Sequence, residues 1–126
     1  PLYLLTSKDT FSAAEEFAYN LKHLKRATLV GEVTRGGANP WRYFLTSANF
    51  EVGIPTAMAV NPITKTNWEG KGVIPHIIVS ASDAKARAHQ EALSWLSSRV
   101  SDYAKEDVDL ALGKLKASPA SQSQAQ

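Results

Sequence analysis

Ser12 is the residue whose position most favours covalent chemistry. It lies between a polar connection, residues 7–10, and a segment with helical periodicity, so its hydroxyl is expected beside free N–H groups at a helix N-terminus. Such a site stabilises the negative charge that develops in acyl transfer. The run from Ser12 to Glu15 is also a capping-box pattern, and on local sequence alone a helix cap is the commoner meaning. A nucleophile needs, in addition, a base that the local sequence does not show.

Two further features could serve the same chemistry. Glu69 lies in a glycine-containing loop, residues 67–72, where it is either a solvated carboxylate or the acid that orients a catalytic histidine. The Gly36-Gly37 pair could approach a substrate backbone or simply make a turn. The spacing around these glycines is not that of a phosphate-binding loop.

Metal and cofactor chemistry is not indicated. The three histidines, His23, His76 and His89, lack metal-ligand spacing, and the chain has no cysteine, so thiolate sites and disulfides are excluded. His23 and His89 are interpreted as helix-surface residues rather than as bases. We therefore expect no metal and no cofactor.

Composition narrows the class of protein. The 126 residues suffice for one domain, and the formal net charge is only +2, with basic residues dispersed among acidic ones, which argues against nucleic-acid binding. No apolar run has the length of a membrane helix, so we expect no stable membrane insertion. The chain opens with Pro1 rather than Met, from which we expect a processed or excised chain whose targeting segment is out of view.

The elements that must position these residues begin with a βαβ unit. An apolar run at residues 2–6 and a β-branched run at residues 27–32 predict two strands. Between them an apolar face predicts a helix, carried by Ala14, Phe17, Ala18 and Leu21. A strand–helix–strand unit of this length predicts parallel strands.

The rest of the chain predicts an antiparallel section and C-terminal helices. Alternating residues in 41–45 and 50–54 predict a hairpin with one buried face, and residues 56–60 are read as a further strand. Asp83 is predicted to cap a second helix that reaches about Val100, and a short last helix is expected around residues 108–115.

These elements divide the chain into a domain, residues 1–116, and a tail, residues 117–126, that is predicted to be disordered because it contains only Ser, Gln, Ala and Pro. The class is α/β. Because a single parallel βαβ unit does not cover both faces of its sheet, we expect a piece of a larger domain or a subunit that completes its core by association, including a homo-oligomer.

Several motifs follow one another along the chain: residues 4–19, residues 27–40, Asn61-Pro62, residues 67–70 and residues 72–75. Together and in this order they make the chain resemble the tail-specific or C-terminal processing serine peptidases. The resemblance covers about residues 2–95 and points to the branch of tricorn core proteases and the interphotoreceptor retinoid-binding protein.

This resemblance implies a crotonase-like, ClpP-related ββα fold, of which the chain would be the C-terminal part of the catalytic domain. Ser12 matches the nucleophile, the Ala13 backbone N–H would be one oxyanion donor, and Glu69 matches the acid of the serine–histidine–glutamate branch. The histidine and the second oxyanion donor would come from the missing N-terminal part of the same protein. Gly36 and Gly37 would contact the substrate.

Two departures refine that reading. Members with a serine–lysine dyad carry the lysine 25 positions after the nucleophile, where this chain has Gly37, so the dyad is disfavoured. His76 replaces the aspartate that often follows the Gly-Val-x-Pro motif. The expected function is hydrolysis of peptide bonds in proteins or peptides through an acyl-enzyme, in a periplasmic or secreted parent protein, with these 126 residues inactive alone.

Two other functions remain open. The retinoid-binding relatives indicate a non-catalytic module that binds apolar ligands or peptides on the same fold. A crotonase-type acyl-CoA enzyme is a more distant alternative, because no CoA site is recognisable. A histidine within hydrogen-bond reach of Ser12 would distinguish the peptidase from the binding module.

Overall fold

A computed structural model describes residues 1–116; the predicted tail, residues 117–126, lies outside the described part. The elements in chain order are β1 (Tyr3–Thr6), α1 (Ala13–His23), β2 (Thr28–Gly31), β3 (Trp41–Ser47), β4 (Phe50–Pro55), β5 (Ile77–Ile78), α2 (Ala81–Ser97) and α3 (Asp102–Lys116). They form a three-stranded sheet in the order β1-β2-β5 and a separate two-stranded sheet of β3 and β4. The predicted mixture of parallel sheet, hairpin and C-terminal helices is confirmed.

The parallel βαβ unit positions the first candidate residue. β1 and β2 pair in parallel, with Leu4 opposite Leu29 and Leu5 opposite Val30. Leu29 and Val30 are fully buried, whereas Leu5 is exposed, because β2 lies between two strands and β1 lies at the edge. The connection from β1 to α1 then brings Ser12 to the N-terminus of the helix.

The buried face of α1 differs from the predicted one. The helix buries Glu15, Ala18 and Tyr19, while Phe17 is 56% exposed and Ala14 is exposed as well. The helix is therefore rotated by about one position relative to the predicted apolar face. The reason is that the Glu15 carboxylate has hydrogen-bond partners in the interior, which periodicity of apolar residues cannot reveal.

The βαβ unit by itself covers one face of the parallel sheet, and the second face is covered by α2, from later in the chain. Ala84 and Ala88 of this helix pack in one cluster with Val30 and Val79. The helix cap is Ser80 rather than the predicted Asp83: the Ser80 hydroxyl accepts from the Asp83 N–H at 3.2 Å. Asp83 lies in the first turn, where its charge is favourable.

The β3–β4 hairpin is confirmed, but its single buried face is not. Phe44 pairs with Val52, so the stripe of Trp41, Tyr43 and Leu45 and the stripe that contains Val52 lie on opposite faces. Every residue of both strands is exposed. The hairpin packs on no described layer, and its apolar stripes are the part of the fold that most needs further protein to cover it.

Two boundary predictions also change. Residues 56–60 form no strand. In the apolar run 73–79 only Ile77 and Ile78 pair with β2, since Pro75 has no N–H to donate to a ladder. The last helix starts earlier than expected, at Asp102. Among the described residues no helix is both long and apolar enough to cross a bilayer.

Candidate active site

Ser12 is held in a strained turn between the β1 loop and α1. Its backbone has φ 54° and ψ −121°, and the Ala14 N–H donates to the Phe11 carbonyl at 3.2 Å. These angles are those of the first central position of a type II′ turn, which glycine usually occupies. For a serine the conformation costs on the order of 1–3 kcal/mol, and such strain concentrates at functional sites. Nucleophilic serines of α/β-hydrolases lie on comparable strained turns before a helix.

The Ser12 hydroxyl and the Ala13 N–H are both unused. The hydroxyl faces the Glu15 N–H as in a capping box, but the pair lacks hydrogen-bond geometry, so only the Glu15 arm of the box is formed. Within residues 1–116 the Ala13 N–H donates to no acceptor. Ser12 is also exposed. An exposed hydroxyl beside a free N–H at the positive end of a helix is what an acyl-transfer nucleophile and its oxyanion donor require.

Glu15 is completely buried beneath this turn. Its Oε2 accepts from the Ser12 N–H and the Gly37 N–H, both at 2.9 Å. Its Oε1 accepts from the Gly36 N–H at 2.6 Å and from the Thr34 hydroxyl at 2.5 Å. Burial by itself raises the pKa of Glu15, but these four hydrogen bonds together outweigh it and hold the pKa below its ordinary value. The side chain is therefore a carboxylate at neutral pH.

Glu69 is fixed by one carboxylate oxygen and leaves the other free. Its Oε2 accepts from the Ala38 N–H at 2.6 Å and from the Asn39 N–H at 2.9 Å. The Asn67 side chain accepts from the Glu69 N–H at 3.0 Å and donates to the Asn39 side chain at 3.1 Å. Among the described residues, Oε1 has no hydrogen-bond partner. An exposed, oriented carboxylate of this kind can accept the N–H of an imidazole.

One loop, residues 34–39, links the Ser12 turn to Glu69. Its first part donates to Glu15 through Thr34, Gly36 and Gly37, and its last two residues donate to Glu69. The indole N–H of Trp68 donates to the Gly37 carbonyl at 3.2 Å. Ser12 and Glu69 are therefore positioned against the same short segment, although they are far apart in sequence.

The glycine pair itself is occupied internally. Both amides bind Glu15, the Gly36 carbonyl accepts from the Gly70 N–H at 2.9 Å, and the Gly37 carbonyl accepts from Trp68. Gly36 has φ +93°, and a Cβ at Gly37 would overlap the ring of Phe11. Glycine is needed here for backbone shape and close packing. The role of Gly36 and Gly37 in contacting a substrate stays a prediction.

None of the three histidines is placed to serve as the base. His23 is at the C-terminal end of α1, about 16 Å of helix away from Ser12 at ~1.5 Å per residue. His76 accepts from the Leu29 N–H through Nδ1 at 2.9 Å and lies with Lys22 in a basic cleft of about 300 Å³ at that same helix end. His89 is exposed on α2, which packs on the other face of the sheet. Residues 1–116 thus hold a candidate nucleophile, Ser12, and a candidate acid, Glu69, with no histidine between them.

Sequence reasoning missed the roles of Glu15 and Asn67. Glu15 was assigned only to a helix cap, whereas three of its four hydrogen-bond donors come from residues 34–37. Nothing in the local pattern identifies these donors, since they are more than 15 positions away. The position of Asn67 directly before Trp68-Glu69 in the quoted motif could have indicated a residue that orients Glu69. The described part holds no group of three or more potential metal-ligating side chains.

Comparisons with known proteins show the family to which the chain is related. The model of peptidase family S41 matches residues 1–79. The chain is 28% identical to the photosystem II D1 C-terminal processing protease over 64% of its own length and 21% of that protein, with a TM-score of 0.55. It is 26% identical to mature CPAF, over 75% of this chain and 19% of that one, with a TM-score of 0.56. The chain thus spans about a fifth of the length of the solved structures it matches.

Proposed function

The chain belongs to peptidase family S41, and on that premise we propose that it supplies the nucleophile and the acid of a serine-peptidase site in a longer protein. The observation that carries the proposal is the Ser12 turn. A serine in a glycine-type conformation, exposed, with its hydroxyl unbonded and the next N–H free within residues 1–116, has no advantage as a simple cap. It has the features of a nucleophile at an oxyanion site.

In the proposed reaction the Ser12 oxygen attacks the carbonyl carbon of a peptide bond. Its proton passes to a histidine contributed by the rest of the parent protein. The Ala13 N–H donates to the oxyanion, and a second donor comes from outside this chain. The histidine then gives the proton to the departing amine, which leaves an ester on Ser12. A water molecule, deprotonated by the same histidine, hydrolyses the ester and restores the serine.

Glu69 has the supporting role in this scheme. Because its Oε2 is held by two backbone N–H groups, the free Oε1 can accept from the histidine and stabilise the imidazolium that forms. The carboxylate does not itself need to take up the proton. Gly37 occupies the position of the dyad lysine, which supports a histidine rather than a lysine as the base.

The remaining part of the proposal concerns the parent protein. A base from outside this chain means that the 126 residues have no peptidase activity by themselves, and the exposed hairpin and β1 edge are where further protein would pack. The resemblance of this chain to the family implies that the parent has a crotonase-like catalytic domain, with the chain in its C-terminal part. It also implies that the parent acts on extended protein or peptide substrates and is exported.

Labelling with a fluorophosphonate probe tests the proposal in the complete protein. We expect the wild-type protein and a Ser7→Ala control, altered in the same loop, to be labelled, and Ser12→Ala to be unlabelled. Ser12→Ala should also have lost peptide hydrolysis. A folded wild-type protein that is never labelled would instead favour the non-catalytic binding module, and hydrolysis by the isolated 126 residues would refute the requirement for an external base.

A further inference from the structure

Glu15 is the buried ionised group that the proposed reaction does not use. It is fully buried, and among the described residues its carboxylate has four neutral hydrogen-bond donors and no cationic partner. A buried carboxylate costs several kcal/mol in lost hydration, which neutral donors only partly return. An uncharged residue would fill the same space at lower cost, so the charge needs an explanation beyond packing.

We propose that Glu15 is a positioning residue, which holds Ser12 in its reactive turn and docks that turn onto the loop that carries the acid. This inference rests on the proposed function and deepens it. The juxtaposition that carries it is one carboxylate, beneath the nucleophile, that binds the Ser12 N–H on one side and the Thr34, Gly36 and Gly37 donors on the other.

The first half of the argument concerns the conformation of Ser12. In an ordinary cap the serine has negative φ and its hydroxyl binds an N–H of the first turn. Here the Glu15 carboxylate accepts a hydrogen bond from the Ser12 N–H at 2.9 Å, and Ser12 has φ 54°. A charge-assisted hydrogen bond is worth about 1.5–3 kcal/mol, which is comparable with the strain of about 1–3 kcal/mol. Glu15 can thus hold the strained turn and leave the hydroxyl free.

The second half concerns the distance between the two catalytic groups. Residues 34–37 bind Glu15, and the next two residues, Ala38 and Asn39, bind Glu69. A change at Glu15 therefore shifts the Ser12 turn relative to the acid. A displacement of about 1 Å between reacting groups can cost ~100-fold in rate.

Direct participation of Glu15 in catalysis does not fit the geometry. Both of its oxygens are saturated by protein donors, and the side chain has no exposed surface. An imidazole N–H could bind Glu15 only by replacing one of these buried bonds. Glu15 acts through Ser12 and the 34–39 loop, and Glu69 remains the candidate acid.

The test uses the complete protein with Glu15→Gln, Glu15→Asp and the adjacent exposed control Glu16→Gln. Gln offers one acceptor oxygen and, in either orientation, places its NH₂ against at least one backbone N–H donor. We expect Glu15→Gln to lower kcat and the rate of fluorophosphonate labelling by about 10- to 100-fold, with KM changed by less than about threefold. Glu15→Asp should recover part of the rate, and Glu16→Gln should match wild type. The pH profile of kcat should keep its midpoint in Glu15→Gln, because Glu15 supports the geometry and not the base.

The outcomes separate the inference from its premise. No labelling of folded wild-type protein overturns the proposed function and this inference together. Labelling of wild type that continues at full rate in folded Glu15→Gln overturns the inference alone. If Glu15→Gln does not fold, Thr34→Val decides, with Thr34→Ser as its control. Thr34→Val removes one donor to Glu15 and should lower kcat at least about fivefold, whereas an unchanged kcat in Thr34→Val refutes the positioning role.

Discussion

The Ser12 N–H donates to Glu15 Oε2 at 2.9 Å, but the Ser12 hydroxyl makes no hydrogen bond to the Glu15 backbone in return. Half of a capping box therefore starts the helix, and the other half is left open. The two meanings of the sequence pattern, cap and nucleophile, are compatible for this reason. The backbone of Ser12 serves the cap, and its side chain remains available for chemistry.

The strain at Ser12 predicts an unusual order of stability. At φ 54° alanine keeps the strain of serine, whereas glycine relieves it. After allowance for the greater freedom of glycine in the unfolded chain, Ser12→Gly should be more stable than Ser12→Ala by about 1 kcal/mol. Urea unfolding of the two inactive variants measures the difference. A more stable Ser12→Ala would show that the turn is not strained.

Replacement of Glu69 should reduce catalysis more than stability. Glu69→Gln keeps an oxygen that can accept from Ala38 and Asn39 but removes the charge that stabilises an imidazolium. We expect kcat for peptide hydrolysis to fall about 10²- to 10⁴-fold, as when the acid of a triad is neutralised. The matched control is Glu51→Gln on the exposed hairpin, which should hydrolyse peptide at the wild-type rate. Equal activity of the two variants would remove Glu69 from the site.

Two glycines should respond in opposite directions to alanine. Gly31 has φ +137°, and a Cβ there would overlap the Thr6 carbonyl oxygen, while Gly113 on α3 has open space around it. Gly31→Ala should destabilise the protein by roughly 3 kcal/mol or more, since strain and overlap combine. Gly113→Ala should stabilise it by about 0.5–1 kcal/mol, through helix propensity. Thermal unfolding of both variants checks the pair, and a tolerated Gly31→Ala would contradict the close approach of β1 and β2.

His76 should make stability depend on pH. Its pKa is lowered by burial and then by the charge of Lys22. Protonation of Nδ1 would also break the hydrogen bond that Nδ1 accepts from the Leu29 N–H. With the folded pKa below the unfolded value of about 6.5, the unfolded chain binds the proton first. The free energy of unfolding should therefore fall as pH drops below about 6.5 and level off beneath the folded pKa.

The comparison that isolates this effect is His76→Gln against the exposed control His89→Gln. His76→Gln should reduce the slope of the free energy of unfolding against pH. A smaller slope of the same sign should remain because of His23, whose pKa is also lowered, by burial and then by Lys22 and His76. His89→Gln controls for the general effect of replacing an exposed imidazole. If unfolding experiments between pH 5 and 7.5 show identical slopes for wild type and His76→Gln, the linkage is wrong.

The sequence determined the local elements and the residue types of the candidate site. Apolar runs and helical periodicity predicted the parallel βαβ unit, and the alternating runs predicted the hairpin, because these signals come from residues close together in the chain. The quoted motifs placed Ser12 at a helix start and Glu69 in a loop, and the structure has both there. The absence of a suitable histidine could also be read from the sequence, and the three described histidines lie away from Ser12.

The tertiary structure alone decided which polar groups are already hydrogen-bonded within the protein and which remain available. Local sequence could not show that Glu15 faces the interior, because its partners Thr34, Gly36 and Gly37 are brought to it by the fold. The predicted buried face of the hairpin was wrong for the same reason. Alternation of apolar residues predicts a buried face, but whether that face is covered depends on residues from elsewhere in the protein. Burial and hydrogen-bond satisfaction are properties of contacts between distant segments, and a pattern of neighbours in the chain does not contain them.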